Sequence, residues 1–273
     1  RQIVEQGKTP LETYRELVNL YGQQPNLSVR TSTSIAQQAY STPVPIAYLT
    51  DLLAGVTPNM RGVVYEPTAG NGALLINAGP HVVANELNHD RAERLRSTGL
   101  AKNVQEHDAT DNSWIKMDQF ATAVVANPPF GTVKDENGRN RVFNADGFET
   151  TEIDQAIMIN ALKQLKPNGR AAVIIGGKMG GTEAVRSRKY NTSGQRAFYK
   201  ALFDRFNVVD HISLSGDLYS KQGAKYPIDI IVIDGHRPTE NPVYPAGQVP
   251  RMYTSFEELE EVIRKIAARV HRE

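Results

Sequence analysis

Two alternating hydrophobic periods constrain this 273-residue chain more than any other feature. Short β-branched runs bounded by turn residues occur at Gly62–Tyr65, Val82–Asn85, Val104–Glu106, Ala123–Ala126, Ala171–Ile175, Val208–Ser213 and Ile228–Ile233. Helix-like segments fill most of the gaps, at Gly72–Asn77, His89–Thr98, Asp154–Leu165 and Gly194–Phe206. Strands alternating with helices at this spacing require right-handed crossovers and a sheet covered on both faces. The expected fold class is therefore α/β, a doubly wound, mainly parallel sheet of seven strands. Ligands of such sheets bind beyond the carboxyl ends of the strands, so the residues just after each strand are the candidates for a site.

Composition removes several classes of function. Lys+Arg number 31 against 30 Asp+Glu, which excludes a polybasic tail or an acidic solvating chain, and 40% hydrophobic content is enough for a sizeable core. With no cysteine there is no disulfide, thiolate zinc site or Cys nucleophile, which fits a cytoplasmic location. The longest apolar stretches, such as Ala171–Ile175, fall far short of the roughly 20 residues of a membrane helix. The chain starts at Arg1, as a trimmed chain or a piece of a longer polypeptide would.

Three divisions are expected. Residues 1–60 read as a helical N-terminal attachment, with helices near Pro10–Tyr21 and Pro45–Ala54 around a polar stretch at Gln23–Ser34; residues 61–240 form the main domain. Residues 241–273 read as an extension whose Phe256, Leu259, Val262, Ile263, Ile266 and Val270 follow helical spacing, acidic early and basic late as a helix dipole favours.

Two strand ends carry chemistry. After the first strand, Glu66-Pro67-Thr68-Ala69-Gly70-Asn71-Gly72 places an acid before two glycines, so that backbone can approach a ligand closely. Many βα turns use glycine for sterics alone, and Leu75 replaces the third glycine of a dinucleotide fingerprint, which disfavours NAD. Glu86, ending the second strand, stands where an acid accepts from ribose hydroxyls, and Asp108 after the third strand serves equally as a cap or turn residue. The decisive segment is Asn127-Pro128-Pro129-Phe130. Two prolines remove backbone donors and stiffen the bend, leaving carbonyls and the Asn amide oxygen to accept hydrogen bonds, and Phe130 offers a stacking face. Together they suit a planar ring bearing an exocyclic amine.

These motifs, with Tyr40-Ser41-Thr42-Pro43 upstream, resemble the S-adenosylmethionine-dependent adenine-N6 DNA methyltransferases. The motif order is similar to the gamma arrangement, to type I modification subunits and to the methyltransferase part of large phage or mobile-element proteins that also carry a helicase. The resemblance spans about residues 36–235 and implies a class I methyltransferase fold with an antiparallel closing hairpin. It implies that Thr42, Pro43, Glu66, Gly70, Gly72, Glu86 and Asp108 contact the cofactor, with Asn127 also facing it. Glu86 would hold the ribose hydroxyls and Asp108 the cofactor's adenine amine. Asn127 and the Pro128 carbonyl would accept from the target N6 amine, on a bend stiffened by Pro129, and Phe130 would stack on the extruded base. No metal is implied. The partners implied are DNA and a helicase or target-recognition region, on the same longer protein or a partner subunit, because only about 40 residues follow Ile233.

Other segments fit that frame. Lys166–Arg170 reads as a turn before the fifth strand, and Asp217-Leu218-Tyr219 as the approach to the closing hairpin, with its aromatic lining the base pocket. Gly131–Thr151, long and polar, reads as a mobile flap over DNA. Residues 170–225 hold ten Lys/Arg against four acids, and Lys178 with Arg186-Ser187-Arg188-Lys189, in a loop past the fifth strand, reads as a phosphate-binding rim or as a solvated basic face. The same motifs leave open a methyltransferase acting on RNA adenine, cytosine N4 or protein glutamine, and a silent cofactor-binding module.

Overall fold

The computed structural model describes residues 1–25, 42–177, 180–222, 226–237, 245 and 247–270. Parallel strands β1 (Val63–Glu66), β2 (Val82–Asn85), β3 (Asn103–Gln105), β4 (Ala121–Ala126) and β7 (Leu165–Gly176) form the body of one sheet, with helix α3 (His89–Thr98) between β2 and β3 and α4 (Ile153–Leu162) before β7. Strand β9 (Ile228–His236) runs antiparallel between β7 and β8 (Phe206–Leu214), closing the sheet as a hairpin. The order is β10-β8-β9-β7-β4-β1-β2-β3. An eighth strand, β10 (Met252–Tyr253), pairs with β8 where seven strands were expected; two residues are too few to leave a periodic signal.

The central strands are apolar on both faces because helices cover both, so β4 and β7 read as continuous Ala/Val/Ile runs and not as alternating ones. One face is covered by α1 (Pro10–Gln23), α2 (Val44–Leu53) and α7 (Glu260–Val270), whose Tyr14, Leu17, Leu49, Val262 and Ile263 share a core with Val64, Ala123 and Ile174. The other is covered by α4, α5 (Glu183–Tyr190) and α6 (Ser193–Arg205). No helix among the described residues is long and apolar enough to cross a membrane.

Three local expectations are corrected. The segment after Gly72 makes only a 3-10 turn at Ala73–Leu75, because Gly79 backs onto the Pro58 carbonyl and leaves no length for a helix. Lys166–Arg170 lies inside β7, whose pairing with β4 steps from Leu165 opposite Ala121 to Arg170 opposite Ala123; the turn residues are looped out as a bulge. Residues 131–151 are ordered into an antiparallel hairpin, β5 (Phe143–Ala145) with β6 (Phe148–Thr150), turned by Asp146 and Gly147 at positive φ. Phe143 and Ala145 anchor it in the core beside α4, and Arg205 ties its turn to α6 through Asp146. The arm therefore packs on the body, and its four acids outnumber Lys134, Arg139 and Arg141.

Candidate functional site

The site forms at the carboxyl ends of β1, β2, β4 and β7. Glu66 ends β1 almost fully buried, its Oε1 accepting from Thr68 N (2.9 Å) and Oγ1 (3.4 Å). Burial raises its carboxyl to about 8, assisted by nearby Glu86. Asp51 of α2 lies fully buried, and burial, with Glu66 nearby, holds its carboxyl well above the usual carboxylate range. The turn beyond Glu66 depends on glycine at residues 70 and 72, with φ of 55° and 81°, a left-handed conformation that bares the loop backbone.

Glu86 closes this turn from β2. Its Oε2 accepts from Gly70 N (3.2 Å), while Oε1 takes Asn88 N (3.3 Å) and Arg91 Nε (2.6 Å). Asn85, which sequence reasoning passed over, fastens two loops at once. Its Nδ2 donates to the Pro67 (3.0 Å) and His107 (2.8 Å) carbonyls, and its Oδ1 accepts from His107 N (2.9 Å). Only an Asn at the end of an otherwise apolar strand signals this. Asp108 stays exposed on the neighbouring loop, its Oδ1 accepting from Thr110 N (2.9 Å) and Oγ1 (2.7 Å), so the structure brings it to the β3 end without joining it to the glycine turn.

The upstream element reaches the site through Thr42. Tyr40 and Ser41 lie outside the described residues; Thr42 is buried and Pro43 caps α2. Asn127, at the tip of β4, donates through Nδ2 to Thr42 Oγ1 (2.8 Å), with Oδ1 the other, buried end of its amide. Pro128 is buried and Pro129 exposed. The ring of half-buried Phe130 rests on the β7 tip: a Cβ on Gly176 would stand 3.1 Å from Phe130 Cγ.

Phe130 opens onto a cleft of about 1020 Å³, whose walls include Thr150 and Gln155 on the arm side, Lys189 and Gln195 on the helix side and Tyr226 at the rim. Asp154 also lines it; its Oδ2 accepts from Gly176 N (2.9 Å), and burial raises its carboxyl to about 6. Asp154 and Gln155 were not legible as site residues, although two polar side chains opening so apolar a helix are a detectable signal. Tyr219, expected in a base pocket, packs instead in the core beneath α1, and Tyr226 is the aromatic at the cleft.

The basic stretch does not form one rim. Residues 183–190 are helix α5 and not a loop. Arg186 and Arg196 donate to the Pro250 and Pro245 carbonyls, Lys200 pairs with Asp204, and Lys221 donates to the Gly22 and Gln24 carbonyls. Arg170 lies against Gly55, far down β7. Lys189 alone of the described cations lines the cleft; Lys178 and Lys225 lie outside the described residues. One trio among the described residues, His89, Glu93 and Glu106, brings possible metal ligands within 4.8 Å of one another, but Arg96 already meets both of its carboxylates.

Sheet order, closing hairpin and site at the strand ends define a class I methyltransferase fold. The family model for N-6 DNA Methylase matches residues 94–244, more than half of the chain and including the Asn127–Phe130 bend, so the chain belongs to the N-6 DNA methylase family. No curated protein matches it. Among solved structures it is similar to the type I restriction-modification methyltransferase subunit from Streptococcus thermophilus (16% identity, TM-score 0.61, 95% of this chain and 57% of that one). It is also similar to a modification subunit of a putative type I restriction enzyme from Vibrio vulnificus (13%, 0.56, 95% and 57%). A putative class I S-adenosylmethionine-dependent methyltransferase from Listeria monocytogenes matches at 14% identity and TM-score 0.53, over 96% and 80%. The chain thus spans little more than half the length of the two type I subunits.

Proposed function

We propose that the chain transfers a methyl group from S-adenosylmethionine to the N6 amine of adenine in DNA, on a base extruded into the cleft at Phe130. The observation that carries this reading is the Asn127 amide, held by Thr42 at the tip of β4, three residues before Phe130 at the cleft.

The residues fit the cofactor. Glu66 is desolvated to the point of holding a proton near neutral pH, a carboxyl prepared for a cation beside it, and the positive-φ glycines leave the loop backbone open to close approach. In this reading Thr42, Pro43, Glu66, Gly70, Gly72 and Glu86 hold it, Glu86 takes the ribose hydroxyls, and Asp108 the adenine amine once its turn with Thr110 yields. When bound, S-adenosylmethionine supplies an electrophilic methyl on a sulfonium. Asn127 Oδ1 and the Pro128 carbonyl would accept from the two protons of the target amine and draw its nitrogen toward tetrahedral geometry, which frees the lone pair for attack; the surplus proton of the methylated nitrogen would pass to water and S-adenosylhomocysteine would leave. Pro129 keeps the bend rigid. Phe130 stacks on the base and offsets part of the few kcal/mol that extrusion costs. Holding amine and donor in line can lower the barrier by about 7–11 kcal/mol, so no strong base is needed.

Residues 61–240 carry this chemistry, with 1–60 supplying the upstream element and 241–273 a helical extension. Target selection then belongs to a recognition region on the same longer protein or on a partner subunit. Incubation with S-adenosylmethionine and unmethylated genomic DNA, followed by nucleoside mass spectrometry, tests the reading: N6-methyladenine is expected. Methyl groups on cytosine N4 alone, or none at all, overturn it.

A further inference from the structure

Gln155 is 6% exposed and sits in the first turn of α4, where it lines the cleft with Phe130. Its amide lies against Thr150, whose hydroxyl accepts from Glu152 N (3.0 Å) and donates to Gln155 Oε1 (2.7 Å). That leaves Nε2, which has no hydrogen-bond partner among the described residues, as the donor end facing the cleft. The acids Asp154, Glu152 and Glu149 also line the cleft, and Asp154 spends one oxygen on Gly176 N.

An extruded adenine needs a donor such as Gln155 Nε2. Once its two amine protons are taken by Asn127 and Pro128, every polar atom left on the ring is an acceptor: N1, N3 and N7. Thymine and guanine instead carry a ring N–H on the edge next to the position of the amine, and a donor meets it unfavourably. A buried donor left unmatched costs more than a matched one contributes, so a single amide can discriminate.

We propose that Gln155 is a specificity-determining residue, donating from Nε2 to a ring nitrogen of the extruded base. The proposal rests on the methyl-transfer reading above.

The test uses the full chain with S-adenosylmethionine and unmethylated genomic DNA. Gln155→Leu removes the donor at similar volume, and Gln155→Glu replaces it by an acceptor; kcat/KM for DNA is expected to fall about tenfold for Leu and further for Glu, with the KM for S-adenosylmethionine unchanged. Thr150→Val cuts the tie but keeps the amide donor, so it should lower the melting temperature while losing less in kcat/KM. Unchanged kcat/KM in both Gln155 variants overturns the proposal, and so does Thr150→Val reproducing their loss in full, which would make Gln155 a structural tie. If wild type itself methylates no adenine, the functional reading fails first, and the two failures stay distinguishable.

Discussion

Asn127 and Thr42, 85 positions apart, meet at the tip of the central strand through one side-chain hydrogen bond of 2.8 Å. The bond holds the amide with Nδ2 toward Thr42 and Oδ1 at its other end. Thr42→Val removes it and lets the amide turn, so kcat should drop about tenfold, the value of one hydrogen bond. Thr42→Ser, which keeps the hydroxyl, should restore it. Steady-state kinetics on genomic DNA decide the point.

Asn127→Ala deletes the acceptor itself. Turnover should fall by roughly 100-fold or more, the scale seen when one charge-stabilising hydrogen-bonding group is lost from an active site. Affinity for S-adenosylhomocysteine by calorimetry should stay near wild type. Full activity in a methyl-transfer assay would defeat the assignment.

Glu66 gives a pH signature. Its carboxyl moves from 4.5 to about 8 on folding, so between those values the folded chain keeps a proton that the unfolded chain has released. The stability it contributes is complete below the lower value and is lost as pH rises through about 8. Glu66→Gln stays neutral throughout. It should match wild type in urea at about pH 5 and exceed it at about pH 9, while binding S-adenosylmethionine more weakly.

Gly176 lets the Phe130 ring sit directly on the β7 tip. In Gly176→Ala the new Cβ would lie 3.1 Å from Phe130 Cγ and 3.4 Å from Asp154 Oδ2, so the ring must shift by a few tenths of an ångström. Overpacking of this kind costs about 1–3 kcal/mol, and the KM for DNA should rise several-fold with the cofactor KM unchanged. A melting curve and a KM series separate the two effects.

Asn85 holds the Pro67 and His107 loops with three hydrogen bonds of 2.8–3.0 Å in a buried setting. Asn85→Ala leaves backbone groups without partners and should cost about 2–4 kcal/mol in chemical denaturation. A change below 1 kcal/mol would show that water replaces the side chain.

The alternation of strand and helix, and with it the covered sheet, was legible because each period is written locally in five to ten residues. So was the placing of Glu66, Gly70, Gly72, Glu86 and Asn127 at the strand ends, since a doubly wound sheet delivers the residue after every strand to one edge whatever the intervening loops do. Contacts between distant segments left no such trace. The arm at 131–151 looked like a loop because its two strands have three residues each, too short for a period, and are held by α4 and α6. The cations of 170–225 looked like a phosphate surface until carbonyls of the 245–250 segment and the end of α1 claimed several of them. Gln155 reads in one dimension as a helix-start residue; its hydrogen bond with Thr150 came only with the fold. Composition and periodicity therefore determined the sheet and the placing of its tips, whereas hydrogen-bond partners, which depend on angles and distances across the fold, were settled only by tertiary structure.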